Sequence, residues 1–275
     1  MSTIVYNIPV QFVPAYRGRE VIVRAQDPAE LVQSLPEGVL DKLVGVQLLS
    51  LTATVDVLAD WGYGVPVELV MRSPETEFPL LYRHAKLLDK HPVRVSIPVL
   101  PALFKAVKVA NALRFTVKLD VGQPEPAAIA ALQEVLDFYL HHMAVAQPVE
   151  FFHTALLSFY HQEPVTLWDV QEEDPAYVRY VTDNGRETMV RYPIGARVRG
   201  ALGPFVADLQ QALLAERGEC CACEFFAHCG GYFKWPRQDY DCSGVKTLFR
   251  TLQDASAALR HDLNTFTAAR QEIGR

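Results

Sequence analysis

Apolar runs and amphipathic stretches alternate along the first 165 residues of the chain. Short apolar runs predict buried strands, and stretches whose apolar residues recur every three or four positions predict helices. Two strands are predicted at 4–13 and 20–24, with a short helix opened by Asp27-Pro28 as cap and first residue. The remaining predicted strands are 44–49, 67–71, 93–99, 113–120 and 149–153, and the helices between them are 53–61, 76–89, 102–112 and one ending near residue 142.

This alternation of strands and helices indicates right-handed β-α-β units that build a parallel sheet. The sequence therefore predicts an α/β fold over residues 1–165, either a partial (β/α) barrel or an open doubly wound sheet. The acidic segment 163–175 is predicted to be a solvated linker, and residues 176–275 are predicted to form a second, smaller domain.

The second domain is predicted to begin with a β-hairpin. Asn184-Gly185 separates strands at 177–182 and 187–192 and supplies the positive φ angles of a tight turn. A helix is predicted over 204–216 and a long one over 245–268. The apolar stripe of the long helix is predicted to pack over the small domain or back on the barrel, with a partner interface as the alternative; it consists of Val245, Leu248, Leu252, Ala255, Leu259 and Leu263.

All five cysteines lie between Cys220 and Cys242. Four of them form the pattern C-x2-C-x5-C-x12-C, and Cys221 stands outside it; the four are Cys220, Cys223, Cys229 and Cys242. Four thiolates suit a tetrahedral zinc or an iron–sulfur cluster, and the spacing leaves both open. Gly230-Gly231 permits the sharp reversal needed to bring the last cysteine back. Disulfides are disfavoured because the N-terminus shows no export signal, and unrelated core cysteines would be scattered along the chain.

The cysteine pattern resembles the SPASM domain, a cluster-binding extension of many radical SAM enzymes that modify peptides. Cys220, Cys223 and Cys229 match the start of its C-x2-C-x5-C-x3-C core, and Cys242 matches its later cysteine. The resemblance implies one [4Fe–4S] cluster held by these four cysteines in a small C-terminal α+β domain, after a partial barrel of the radical SAM type. Phe233 replaces the x3 cysteine, so the family's second auxiliary cluster is expected to be absent.

The chain has no cysteine before Cys220, so it lacks the C-x3-C-x2-C site at which radical SAM enzymes cleave AdoMet. The resemblance is therefore to SPASM-domain proteins that accompany such an enzyme, as in GeoRSP-type systems. It implies an accessory iron–sulfur protein that binds a radical SAM enzyme or its precursor peptide, or relays electrons. Two alternatives remain: a zinc-stabilised interaction scaffold, and an independent barrel enzyme whose metal domain is only structural.

Three polar residues follow predicted strands at the carboxyl edge of the sheet, where α/β barrels place their chemistry. Arg72, Asp120 and His153 are therefore the predicted pocket of the barrel mouth. Near the cysteines, His228 is expected to bond a cluster sulfur or to face solvent. The nearby aromatic residues are expected to shield the metal from water; they are Phe225, Phe226, Tyr232, Phe233 and Trp235.

The net charge of −6 argues against a general nucleic-acid or anionic-membrane surface. No apolar stretch approaches the ~20 residues of a membrane span, and the N-terminus lacks the pattern of a signal peptide. A cytoplasmic location is expected, with neither nucleic acid nor membrane as a partner.

We predict that the protein does not cleave AdoMet by itself, because no cysteine precedes residue 220. Reduced, metal-reconstituted protein should give no 5′-deoxyadenosine above a control without protein, while an authentic radical SAM enzyme assayed in parallel does. Sustained turnover by the isolated chain would overturn this prediction.

Overall fold

The computed structural model of the chain describes residues 3–35, 41–189 and 204–273. These residues form one nine-stranded sheet with helices between successive strands. The strands are β1 (Val5–Pro9), β2 (Glu20–Ala25), β3 (Leu43–Leu48), β4 (Val67–Val70), β5 (Val93–Pro98), β6 (Thr116–Asp120), β7 (Val149–Glu150), β8 (Val178–Val181) and β9 (Glu187–Thr188).

The helices before residue 189 are α1 (Pro28–Ser34), α2 (Asp56–Ala59), α3 (Pro74–Glu77), α4 (Leu103–Ala112), α5 (Pro126–His141), α6 (Phe152–His161) and α7 (Leu167–Val170). The later helices are α8 (Phe205–Ala215), α9 (Phe226–Cys229) and α10 (Ser243–Ile273). Within the part of the chain that the structure describes, 3-10 helices span Val10–Tyr16, Phe78–Asp89, Glu219–Ala222 and Tyr232–Lys234. None of the helices in the described ranges combines the length and the apolar character needed to cross a membrane.

The strand order is β7-β6-β5-β4-β3-β2-β1-β8-β9, and every pair is parallel except β8–β9. From β1 to β7 the order runs in one direction without the reversal of a doubly wound sheet. Strand β8 lies beside β1, as in a barrel, but it does not pair with β7 within the described residues. The predicted α/β class with a parallel sheet is confirmed, and the order is compatible with a partial (β/α) barrel.

The two faces of the sheet differ in polarity because successive strand residues point to opposite sides. One face is apolar and forms the core with the surrounding helices; its fully buried members include Ile8, Val23, Leu48, Leu69, Val95 and Val117. The opposite positions of the same strands form a polar face: Asn7, Arg24, Gln47, Glu68, Arg94 and Lys118.

A chain of hydrogen bonds runs across the polar face from β2 to β5. Arg24 Nη1 donates to Asn7 Oδ1 at 2.9 Å, and Asn7 Nδ2 donates to Gln47 Oε1 at 2.9 Å. Gln47 Nε2 and Arg94 Nη2 both donate to Glu68 Oε2 at 2.8 Å. These partners offset the cost of burying the polar groups of five strands.

The segment 166–173, here called the strap, lies against this polar face. The carboxylate of Glu172 accepts from Arg94 Nη1 at 2.7 Å and from Lys118 Nζ at 2.8 Å. Tyr180 on β8 donates to the main-chain oxygen of Glu172 at 3.1 Å, and Lys118 on β6 donates to that of Gln171 at 2.9 Å. Strands β6 and β8 are far apart in the sheet order, yet both contact Glu172 of the strap, so the sheet is curled around the strap.

The prediction of a solvated linker over 163–175 was therefore wrong. Trp168 and Gln171 are buried within it, and the carboxylate of Glu172, 25% exposed, pairs with the buried Lys118 and the partly buried Arg94. The predicted strand 149–153 was also too long, because β7 ends at Glu150 and α6 begins at Phe152. His153 consequently lies in the first turn of a helix.

The hairpin predicted from Asn184-Gly185 is present, with Tyr180 opposite Thr188. Its first strand, β8, pairs with β1, so both strands belong to the nine-stranded sheet. The sheet thus continues past residue 165, where the sequence analysis ends the predicted barrel domain. The predicted strand residues 190–192 lie outside the described residues.

Helix α10 packs back on the sheet's outer layer, mainly on α6 and also on α5. The predicted stripe is buried in its first half at Val245, Leu248 and Leu252. In the second half Leu259 and Leu263 are 40% and 44% exposed. The first half therefore attaches the C-terminal region to the helices of the sheet.

We predict that Glu172→Gln destabilises the protein by about 3–5 kcal/mol at neutral pH, the usual cost of breaking a buried ion pair from one side. Burial raises the pKa of Glu172, but Lys118 and Arg94 outweigh it and hold that pKa below its ordinary value. The contribution is therefore fully present above the unfolded pKa of about 4.3 and is lost as the pH falls below it toward the folded pKa.

Urea unfolding of the wild type and of Glu172→Gln measures this difference at neutral pH and in acid. The matched control is Glu163→Gln, at an exposed position of the acidic segment 163–175 but outside the strap. It should change stability by no more than about 0.5 kcal/mol. Two outcomes would contradict a stabilising role for the Glu172 carboxylate. One is equal stability of the two variants, and the other is a loss of unfolding free energy in Glu172→Gln that becomes larger in acid.

Candidate metal centre

The structure brings Cys220, Cys223, Cys229 and Cys242 to the wall of one cavity. They come from different local elements: the 3-10 helix Glu219–Ala222, the residue that ends it, the last turn of α9 and the residue before α10. Cys221 is exposed and does not line the cavity. The four predicted ligands are thus together, and the fifth cysteine is outside the set.

The reversal after Cys229 depends on two glycines. Gly230 and Gly231 have φ angles of +60° and +76°, which side chains rarely adopt. A Cβ on Gly230 would lie 2.8 Å from Gln210 Nε2, and one on Gly231 would lie 2.5 Å from Leu213 Cδ1. The predicted need for glycine here is confirmed, and it lets the chain turn back under α8.

Two lysines flank the thiols. Lys234 donates to Glu219 Oε2 at 2.7 Å and to the main-chain oxygen of Tyr240 at 2.6 Å, and Lys246 donates to Glu219 Oε1 at 2.6 Å. Both lysines line the cavity with the cysteines. Burial raises the pKa of Cys220 and raises that of Cys242 to about 12, while Lys234 acts against both shifts because it stabilises a nearby thiolate.

Main-chain N–H groups also face the thiols. Burial raises the pKa of Cys229 to about 11, and the N–H groups of Phe233, Gly231 and Tyr232 oppose that shift by donating toward its sulfur. A protonated thiol makes little use of such donors, whereas a thiolate is stabilised by them. Burial thus favours protonated thiols without a metal, and the same donors would stabilise the thiolates that form when a metal displaces the protons.

Aromatic rings close the cavity from the inside of the molecule. Phe225 and Phe233 are 1% exposed, and Phe225 stacks on Phe249 with ring centroids 5.4 Å apart. Trp235 instead packs on Phe205 of α8, at 4.9 Å, and does not line the cavity. Of the predicted aromatic residues, Phe225, Phe226 and Phe233 line the cavity, whereas Tyr232 and Trp235 do not.

His228 connects the cysteine segment to α6. Its Nδ1 lies 2.9 Å from Ser158 Oγ, and its ring centroid lies 4.2 Å from that of Phe159. The pKa of His228 is lowered because the ring is desolvated by burial. The sequence analysis expected His228 to bond a cluster sulfur or to face solvent. In the structure it instead forms a hydrogen bond with Ser158 on α6.

The strap joins the cysteine segment to the polar face of the sheet. Trp168 Nε1 donates to the main-chain oxygen of Gly230 at 2.9 Å, directly after Cys229. Tyr232 donates its hydroxyl to Glu173 Oε2 at 3.0 Å. Because Glu172 on the same strap binds Arg94 and Lys118, one short segment supports both the cavity of thiols and the curled sheet.

Four thiols line the cavity, and the carboxylate that lines it with them, Glu219, is bound to lysine. This set of donors fits a metal that prefers sulfur ligands. Within the described part of the chain, however, no three His, Cys, Asp or Glu side chains are grouped closely enough to hold a single metal ion.

The predicted pocket residues of the barrel mouth do not come together. Arg72 lines a cavity of about 430 Å³ at the carboxyl ends of β1, β2, β3 and β8, together with Arg24, Asn7 and Gln47. His153 lies on α6 with its Nδ1 2.8 Å from the hydroxyl of Tyr139, in the outer helix layer. Asp120, at the end of β6, acts electrostatically on Tyr232 and does not line this cavity. Asn7, Arg24 and Gln47 were not predicted as cavity residues. The sequence signal for them was the alternation of polar and apolar residues in β1, β2 and β3.

We predict that Gly231→Ala destabilises the protein by about 2–4 kcal/mol, because it combines a left-handed backbone with a clash against Leu213. Gly218→Ala is the control: no atom lies within 4 Å of its added Cβ, and its φ is −80°. Its effect should stay within about 0.5 kcal/mol. Denaturant unfolding compares the two, and equal stability would contradict the packing described for the reversal.

Comparison of the chain with protein-family models, with curated proteins and with solved structures finds no match. The resemblance to the SPASM domain therefore rests on the four cysteines and their spacing, and the cofactor stays a prediction. The geometry stands independently of any family: four thiols from separate elements face one cavity beside two lysines, held against the sheet by the strap.

Proposed function

We propose that this protein is an accessory iron–sulfur protein of a radical SAM peptide-modification system. In this proposal Cys220, Cys223, Cys229 and Cys242 hold one [4Fe–4S] cluster in a SPASM-like region beside a partial barrel. The observation that carries the proposal is the convergence of these four thiols, and not Cys221, on one cavity. The absence of cysteine before residue 220 gives the protein a supporting role beside an AdoMet-cleaving enzyme.

The preference for a cluster over a single zinc rests on the resemblance of the cysteine pattern to the SPASM domain, because four thiols lining one cavity suit either metal centre. A tetrahedral zinc with Zn–S bonds of about 2.3 Å brings its sulfurs within about 3.8 Å of one another. A cubane core separates its cysteine sulfurs more widely because each binds a different iron.

The charges around the cavity also support the proposal. Four thiolates bring four negative charges into a partly buried site, where uncompensated charge is costly. Lys234 and Lys246 supply two positive charges at the cavity wall, of which the carboxylate of Glu219 offsets one, and the N–H groups after Cys229 add dipoles of the same sense as the lysines. These donors would stabilise the thiolates and would tune the potential of a bound cluster.

A [4Fe–4S] cluster supplies one-electron transfer. The burial of its ligands in this chain would determine the side from which a redox partner can exchange electrons with it. Cys220, Cys223 and Cys229 are partly buried, while Cys242 is buried. A redox partner would therefore approach the cluster from the side of these three cysteines. The rings of Phe225 and Phe233 exclude water from the opposite side.

The ends of the sheet offer a place for the precursor peptide. Among the described residues, strands β7 and β9 each have one neighbour in the sheet order, and exposed strand edges recruit extended peptides by adding a strand. Such binding needs no catalytic group on this chain. It fits a protein that presents a peptide to an enzyme rather than modifying the peptide itself.

The metal assignment is tested by anaerobic purification from the native host, with iron, acid-labile sulfide and zinc measured per chain. We expect brown protein with about four irons, the content of one cluster. Cys220→Ser, Cys223→Ser, Cys229→Ser and Cys242→Ser should each lose most of the iron, and Cys221→Ser should retain it. Colourless protein with one tightly bound zinc would favour the scaffold alternative, and equal iron loss in Cys221→Ser would contradict the ligand assignment.

The accessory role is tested by affinity isolation from the same host, followed by gel filtration of the recovered complex. We expect a radical SAM enzyme or a small precursor peptide to coelute with the chain. A folded variant that keeps its partner but no longer supports turnover would indicate electron relay. A monomer that recovers neither partner would contradict the accessory role and favour an independent enzyme.

A further inference from the structure

A second cavity lies at the carboxyl ends of the strands, away from the cysteines. It has a volume of about 430 Å³, within the roughly 300–1,000 Å³ typical of sites for small molecules. Its floor is the hydrogen-bonded pair Asn7 and Gln47, and its walls come from the ends of β2 and β8 and from the loop after β4. In α/β folds this end of a parallel sheet is where ligands bind.

Arg24 is the most deeply placed charge of this cavity. Its side chain is 15% exposed. Nη1 donates to both oxygens of Asn7 at 2.9 Å, and Nη2 donates to the main-chain oxygen of Val181 on β8. These bonds fix the plane of the guanidinium between β1 and β8, so it meets a ligand without first losing side-chain freedom.

Arg72 supplies a second guanidinium to the same cavity. The loop that carries it is fixed, because Glu77 Oε2 accepts from the main-chain N–H groups of Arg72 at 2.6 Å and Ser73 at 2.9 Å. Among the described residues, the guanidinium of Arg72 makes no hydrogen bond or ion pair. Arg72 therefore lines the cavity from the β4 side, while the guanidinium of Arg24 lies on the β1–β8 side.

The acidic residues of the cavity lie at its rim. Asp183 is 91% exposed and 3.8 Å from Arg24 Nη2, and Glu30 is also exposed. Solvent screens these carboxylates, so the inner part of the cavity is positive. They still oppose a dianion such as phosphate more strongly than a single carboxylate.

We propose that this cavity binds the carboxylate of a small organic acid, with Arg72 as the group that contacts it and Arg24 as a second positive charge of the cavity. The planar guanidinium of Arg72 matches a carboxylate through paired N–H donors. The site goes beyond the proposed function, because it shares no residue with the cysteine cavity and does not depend on the metal.

Isothermal titration of the full-length protein, as purified with its metal, tests this proposal at low salt. The titrants are acetate, succinate, glutamate and citrate, with inorganic phosphate as the competing anion. At least one carboxylate should bind one to one. Arg72→Gln should weaken that binding by about tenfold or more, because a charge-assisted contact is lost.

The matched control is Arg83→Gln, which removes an exposed arginine outside the cavity and should leave affinity unchanged. Arg72→Lys should retain part of the affinity, since lysine keeps the charge without the paired donors. The proposal is overturned if none of the four acids binds saturably, if Arg83→Gln weakens binding as much as Arg72→Gln, or if phosphate binds more tightly than every carboxylate. Iron content reports separately on the cysteine site, so failure here leaves that assignment standing.

Discussion

Glu172 holds a negative charge inside the curled sheet, between the guanidinium of Arg94 and the ammonium of Lys118. Burying these charges costs free energy that is offset only when each is well paired and hydrogen-bonded. Glu172 meets that condition, and its main-chain oxygen also accepts from Tyr180 on β8. The strap is thereby fixed between strands that do not touch, which explains how the sheet curls although β7 and β8 remain unpaired among the described residues.

The same strap determines where the cysteines lie. Trp168 and Glu173, on either side of the Glu172 ion pairs, hold Gly230 and Tyr232 immediately after Cys229. Helix α10, which follows Cys242, packs on α6 and α5. The thiol cavity is thus built against the sheet by hydrogen bonds and packing from two sides. A cluster bound there would be held at a fixed position relative to the sheet, as electron transfer to a docked partner requires.

Local patterns predicted much of this fold because they report on local geometry. The helical and strand periods between residues 44 and 142, the Asn184-Gly185 hairpin and the glycine reversal all follow from neighbouring residues. The strap did not, because its acidic composition resembles a solvated segment, while the partners of Glu172 lie 78 and 54 residues earlier in the chain. Helix α6 was missed because 149–153 was interpreted as a strand, although Phe152, Ala155 and Phe159 recur at helical spacing. His153 was misplaced as a consequence, whereas Arg72 lines a cavity at the mouth.

X-ray absorption at the iron and zinc edges of protein isolated anaerobically from its host tests the central claim most directly. The account predicts iron surrounded by sulfur, with iron–iron scattering from a multinuclear core. Both signals should disappear in Cys229→Ser and persist in Cys221→Ser. A zinc edge with sulfur neighbours, no metal–metal scattering and no iron would contradict the account.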